Sequence, residues 1–127
     1  ITCPVYSFAA VEDHLVPWKS AYQSGKYLGG PTTFVLGGGG HITGPINPVA
    51  RNKRNYWLNE DYGGEPDQWL DHAESHPGSW WPHWDAWLDA HGNGKQVKAP
   101  KKPGSKQHPA LEPAPGTYAR MRSALVE

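Results

Sequence analysis

Two short runs of β-branched, aromatic and small residues constrain the fold of this chain more than any other feature. They are PVYSFAA at 4–10 and TFVLG at 33–37. Each has the length and composition of a buried strand. Between them, PWKSAYQSGKYL sets Trp18, Ala21, Tyr22 and Leu28 on one side of a helix, with Pro17 suited to its first position and GGPT ending it. Strands joined through a helix lie side by side and parallel, so the fold class is α/β.

After the second strand the signals change. Asn47 followed by Pro48 reads as the start of a helix reaching about Trp57. A loop, EDYGGEPDQW, leads to a short helix near 66–74, and a further helix runs from about Pro82 to Ala90, stopped by Gly92 or Gly94. Residues 1–94 therefore form one folded unit. Residues 95–127, rich in lysine and proline and without periodicity, read as an extended arm. Too few strand-like runs follow the first two to complete a sheet, and residue 1 is Ile. The expectation is the C-terminal part of a longer polypeptide.

Composition excludes several function classes. Twelve basic and twelve acidic residues give zero formal charge, unlike a protein built to neutralise phosphates, so nucleic acid is not an expected partner. Cys3 is the one cysteine, which rules out an intrachain disulfide and points to a reducing, cytoplasmic setting. No apolar run approaches the roughly 20 residues of a membrane-spanning helix, and no signal peptide opens the chain.

The chemistry concentrates in VLGGGGHITGPINP, 35–48, where His41 follows four glycines. Asp13 leaves the first strand and His41 leaves the second. Adjacent parallel strands bring both carboxyl ends to one sheet edge, where α/β proteins bind ligands. An aspartate there can orient an imidazole and stabilise its charged form. In α/β-hydrolase folds the nucleophile, the acid and the histidine follow one another in that order. Order and spacing alone also allow a plainer reading, with Asp13 capping the helix near Pro17 and His41 an ordinary loop residue.

Five stretches go further. AVEDHLVPWKSAY, FVLGGGGHITGPINP, NKRNYW, HPGSWWPHWDAWL and LEPAPGTY together resemble the C-terminal region of class I poly(3-hydroxyalkanoate) synthases. The resemblance covers nearly the whole chain in order. It implies the C-terminal portion of an α/β-hydrolase-like domain in an acyltransferase. That enzyme polymerises (R)-3-hydroxyacyl groups from coenzyme A thioesters and releases coenzyme A. It further implies a Cys-His-Asp triad with Asp13 as acid and His41 as base, the cysteine lying upstream of this chain. The thioester is substrate and no cofactor or metal is required. The other implied partners are the growing polyester, the remainder of the synthase chain and a second copy in a homodimer. The implied location is the granule surface in the cytoplasm. Gly38, Gly39 and Pro45 depart from the residues usual in that family, which bears on the loop's conformation and not on the identity of the histidine.

Other groups have plainer alternatives. Cys3 reads as a small core residue inside the first strand, and this chain alone is expected to be inactive. His14 could line the substrate entrance or contact turn backbone. Arg51, Lys53 and Arg54 form either a solvated helix face or a contact for coenzyme A phosphates, Arg54 being the candidate. His72 and His76 stand four apart, but Ala73 occupies the position a zinc protease gives to glutamate, and Pro77 ends any helix. Trp81, Trp84 and Trp87 with Leu88 have the spacing of a core-facing stripe. The rival readings of function are an esterase or lipase of the same fold and a non-catalytic binding module built on the tryptophans.

Overall fold

The structure, a computed structural model, describes residues 1–122. The first compact unit, Ile1–Gly94, carries seven elements. They are β1 (Val5–Ala10), α1 (Trp18–Gly25), β2 (Thr32–Gly37), β3 (Asn55–Leu58), α2 (Pro66–Asp71), β4 (Glu74–Pro77) and α3 (Trp81–His91). The strands form one sheet in the order β1-β2-β3-β4. β1 and β2 pair in parallel, from Val5 opposite Thr32 to Ala10 opposite Gly37, with α1 as the crossover expected from the sequence. β2–β3 and β3–β4 are antiparallel. The architecture is mixed α/β.

Alternation along the strands separates two faces. Ala9, Phe34 and Leu36 turn toward Trp18 and Tyr22 of α1 and Trp69 of α2, and these six residues form the core. Tyr22 is central: its ring meets Phe34 edge-on at 5.0 Å and Tyr62 at 4.7 Å. The Tyr62 hydroxyl donates to the Tyr22 carbonyl at 2.6 Å. Each such fully buried large apolar side chain contributes about 1.5–3 kcal/mol of transfer free energy, which makes this layer the main stabilising contact of α1. On the opposite face, Phe8 stacks on Trp80 at 4.2 Å and Tyr6 meets Trp87 edge-on at 5.4 Å.

Several expectations are corrected. The helix from Asn47 to Trp57 does not form. Asn52 and Arg54 take positive φ, 40° and 69°, which ends any helix, and NYWL pairs instead with β2, Trp57 opposite Leu36. Burial of Trp57 against the core outweighs the local start signal at Asn47. The helix near 66–74 stops at Asp71, and Glu74–Pro77 becomes β4, so the sheet of the described residues has four strands where two were expected. Cys3 lies in an exposed bend before β1, not within a strand core. No residue of α3 is fully buried, and Trp84 and Leu88 are 41% and 44% exposed. The tryptophan stripe is therefore half-buried, and only part of it meets the sheet.

Residues from Lys95 on form the second unit. It contains α4 (Gly116–Arg120) and a bridge between Gly104 and Pro109, so the arm has local structure beyond the extended chain expected. The Thr117 hydroxyl donates to Glu112 at 2.7 Å. Among the described residues no helix is long and apolar enough to cross a membrane.

Candidate active site

The loops that leave β1 and β2 remain joined past the strand ends. The N–H groups of Val11 and Glu12 donate to the carbonyls of Gly37 and Gly39 at 2.9 and 3.0 Å. The glycine run makes room for a third segment. A Cβ on Gly38 would stand 2.7 Å from the Asn55 side chain and 3.0 Å from its carbonyl, and Gly38 N–H donates to that carbonyl at 2.8 Å. Gly39, at φ +111°, occupies backbone space that other residues rarely adopt. His41 then opens a turn in which Gly44 N–H bonds back to the Gly40 carbonyl at 2.8 Å.

This arrangement brings Asp13 and His41 together. The Asp13 Oδ2 to His41 Nδ1 distance is 2.9 Å, with the aspartate side chain 9% exposed and the imidazole 44%. The other carboxylate oxygen, Oδ1, accepts the N–H groups of Leu15 and Val16, both at 2.9 Å. The helix-capping reading is not met, because no side chain caps α1 and the N–H groups that Oδ1 accepts precede it. Asp13 closes its own turn with one oxygen and holds the imidazole with the other.

The Val16 N–H is the main cause of a lowered Asp13 pKa. Partial burial acts in the opposite sense, while His41 and the Leu15 N–H add to the lowering, and the result is about 2 against an ordinary 3.8. An ionised carboxylate can only accept, so Nδ1 of neutral His41 carries the proton and Nε2 is left with a free lone pair. A folded-state pKa below the unfolded one gives stability that is fully present above about pH 4. That stability is lost as pH falls through 2. Carboxyl 13C resonances followed by NMR should place the Asp13 midpoint near 2. A midpoint near 4 would mean that the N–H donors do not hold the carboxylate.

The remaining candidates are spread around this pair. His14 is exposed beside Asp13. Arg51, Lys53 and Arg54 are all exposed, and Arg54 extends over the glycine run, Nη1 lying 2.8 Å from where a Cβ of Gly39 would be. Cys3 precedes β1 while Asp13 follows it, and six strand residues at about 3.3 Å each separate the two by roughly 20 Å. His72 closes α2 and bonds to the Gln68 carbonyl at 2.8 Å, whereas His76 stands on β4 stacked on Tyr56. The same-helix pair is thereby removed. Among the described residues no group of three or more His, Cys, Asp or Glu is disposed to hold a metal ion.

Two cavities compete for attention. The larger, about 710 Å³, is an open groove over Thr32, Thr33, Leu58, His76, His83 and Trp87, toward the end of β2 opposite His41. The smaller, about 180 Å³, is lined by Phe8, Ala9, Ala10, Val16, Ala21 and Pro45 and is reached by Asp13 and His41. The smaller one adjoins the paired acid and imidazole, and chemistry outweighs volume in the choice. Leu15, Val16, Ile42 and Ile46, apolar residues near Asp13 and His41 in the chain, are exposed, and Val16 also lines this cavity.

Fold and site together define an α/β chain with an acid–histidine pair at the carboxyl ends of adjacent parallel strands. No protein-family model matches it. Over 123 residues, 97% of its length, it is 46% identical to the poly(3-hydroxyalkanoate) polymerase subunit PhaC of Cupriavidus necator, covering 21% of that protein. The PhaC subunit of Rhizobium etli is 42% identical over the same share of this chain and is covered over 19% of its length. Poly(3-hydroxyalkanoate) polymerase 1 of Ectopseudomonas oleovorans is 38% identical over 96% of the chain, with 22% of its own length covered. Over nearly its whole length the chain is similar in sequence to poly(3-hydroxyalkanoate) polymerases, and it spans about a fifth of the length of the curated relatives it matches.

The sequence reading missed the residues that carry the His41 loop. The Trp80 and Trp81 indole N–H groups donate to the Gly44 and Pro45 carbonyls at 3.1 and 2.9 Å. Asn47, read as a helix cap, instead donates from its side chain to the Lys53 carbonyl at 2.8 Å. The available signal was a polar Asn-Pro followed far along the chain by Gly-Ser-Trp-Trp, two loop segments rich in groups that bond backbone.

Proposed function

We propose that this chain is the C-terminal segment of a poly(3-hydroxyalkanoate) polymerase and supplies the acid, Asp13, and the base, His41, of a Cys-His-Asp triad. The cysteine comes from a segment outside these 127 residues. The enzyme polymerises (R)-3-hydroxyacyl groups from coenzyme A thioesters with release of coenzyme A, needs no further cofactor, and works at the surface of the polyester it makes. The observation that carries this reading is the 2.9 Å contact between Asp13 Oδ2 and His41 Nδ1. It leaves Nε2 of a half-exposed imidazole able to take a proton from a thiol. The apolar lining of Phe8, Ala9, Ala10, Val16 and Pro45 beside the pair suits an acyl or polyester chain, and Arg54 beside the glycine run suits coenzyme A phosphate.

A thiol suits the chemistry because thioester exchange passes an acyl group between groups of similar leaving ability. Cys3 does not fill that role, for it stands at the far end of β1 from His41. The test is release of free thiol from 3-hydroxybutyryl-CoA by the isolated chain. The expected result is none above background, in the parent and in Cys3→Ala alike. Turnover that disappears on Cys3→Ala would overturn both the placement of the nucleophile and the partial-enzyme reading.

A further inference from the structure

His41 lies in the long stretch between β2 and β3, residues 38–54, which contains no helix or strand. Irregular segments of such length are uncommon unless they serve a site. Its turns are local and would leave the imidazole free to shift with the loop. Beyond Gly39, and apart from the Asp13 contact of His41 itself, what ties the loop to the sheet comes from residues 78–81. Ser79, 5% exposed, donates its hydroxyl to the Asn47 carbonyl and accepts the Trp81 N–H at 3.2 Å. Asn47, also 5% exposed, donates to the Lys53 and Gly78 carbonyls at 2.8 and 3.4 Å. The two indoles then donate to consecutive carbonyls, Gly44 and Pro45, three and four residues beyond His41.

We propose that Trp80 and Trp81 are positioning residues for His41, whose indole N–H groups fix the loop so that the imidazole meets Asp13. Trp80 also stacks on Phe8 of β1 at 4.2 Å, and a Cβ on Gly44 would approach the Ala10 side chain at 2.5 Å. The loop is therefore referenced to β1, the strand that delivers Asp13. Both members of the pair take their place from one rigid element, Asp13 by direct continuation and His41 through the tryptophans. The inference rests on the proposed role of His41 as base, since a misplacement of about 1 Å at such a group can cost two orders of magnitude in rate.

Trp80→Phe and Trp81→Phe keep a ring and remove only the N–H donor. Trp87→Phe is the matched control. Its indole donates at 3.1 Å to Thr33 on β2, away from the loop. The first readout is the His41 tautomer in the full 127-residue chain, by long-range 1H–15N correlation. In the double variant the ratio of Nδ1–H to Nε2–H should fall about fivefold to tenfold, the equilibrium weight of one neutral hydrogen bond. Trp87→Phe should leave the ratio unchanged although it lowers the melting temperature. Trp81→Phe alone, which disturbs no ring stack, should move the ratio in the same direction and decides the matter if the double variant does not fold. An unchanged ratio in Trp81→Phe, or an equal change in Trp87→Phe, overturns the proposal. The second readout is cysteine acylation in a polymerase polypeptide carrying this segment. There Trp81→Phe should lower kcat about tenfold with little change in KM. A shifted tautomer together with acylation that is indifferent to His41 itself would leave the positioning intact and refute the triad reading instead.

Discussion

Replacing His41 by glutamine in a polymerase polypeptide that carries this segment lowers the rate of first acylation by about 10²–10⁴-fold, the range that a positioned general base contributes. The reasoning starts from the tautomer. Asp13 is ionised at any working pH because its pKa lies near 2, so it accepts from Nδ1 and leaves Nε2 unprotonated. In the proposed step Nε2 takes the proton of the cysteine thiol. The sulfur attacks the thioester carbonyl, the bond to coenzyme A sulfur breaks, and the imidazolium returns the proton to the departing thiolate. Glutamine fills similar space and can still donate to Asp13, but its amide takes up no proton at neutral pH. Rapid-quench measurement of coenzyme A released in a single turnover checks this, with circular dichroism to establish that the variant is folded. Acylation at the parent rate would remove His41 from the mechanism.

What could be read in the sequence follows a physical division. β1, α1 and β2 were legible because their signals are local: apolar runs of strand length around a helix with Pro17 at its start. The Asp13–His41 pair was legible because parallel pairing, once granted, carries both residues to one edge. β3 and β4 were not. NYWL looks like the end of the helix that Asn47-Pro48 should start, and pairing with β2 on one side and β4 on the other makes it a strand. ESHP has no strand propensity at all and is held by pairing with β3. The bonds from Trp80 and Trp81 to the histidine loop join residues 36 apart in the chain, a distance over which periodicity says nothing. The same limit explains the glycine run. Its composition announced a close approach, but the partner, Asn55, could be known only after β3 was in place.

Asp13→Asn separates the two halves of the proposed reaction. The geometry fixes how the new amide sits. Oδ1 accepts the Leu15 and Val16 N–H groups at 2.9 Å, a task only the amide oxygen can perform, so the amide nitrogen must take the place of Oδ2 facing His41. That nitrogen donates to Nδ1 and forces the proton onto Nε2, the tautomer that cannot act as base; in serine proteases the equivalent substitution costs about 10⁴ in kcat for this reason. A thiol is less dependent on the base than an alcohol, because at its ordinary pKa near 8.5 a few per cent is already ionised at pH 7. First acylation in Asp13→Asn should therefore persist within about 10- to 100-fold of the parent, because the minor tautomer with Nε2 unprotonated still supplies a base, whereas His41→Gln supplies none. Chain extension differs, since the attacking group is the hydroxyl of a 3-hydroxyacyl unit, which is hardly ionised at neutral pH. Polymer formation should accordingly fall by the full 10²–10⁴-fold of a lost general base. The comparison is single-turnover coenzyme A release against steady-state polymer yield in the same preparation. Equal losses in the two assays would show that Asp13 serves acylation and extension alike, and would refute the division of labour drawn from the different acidities of thiol and hydroxyl.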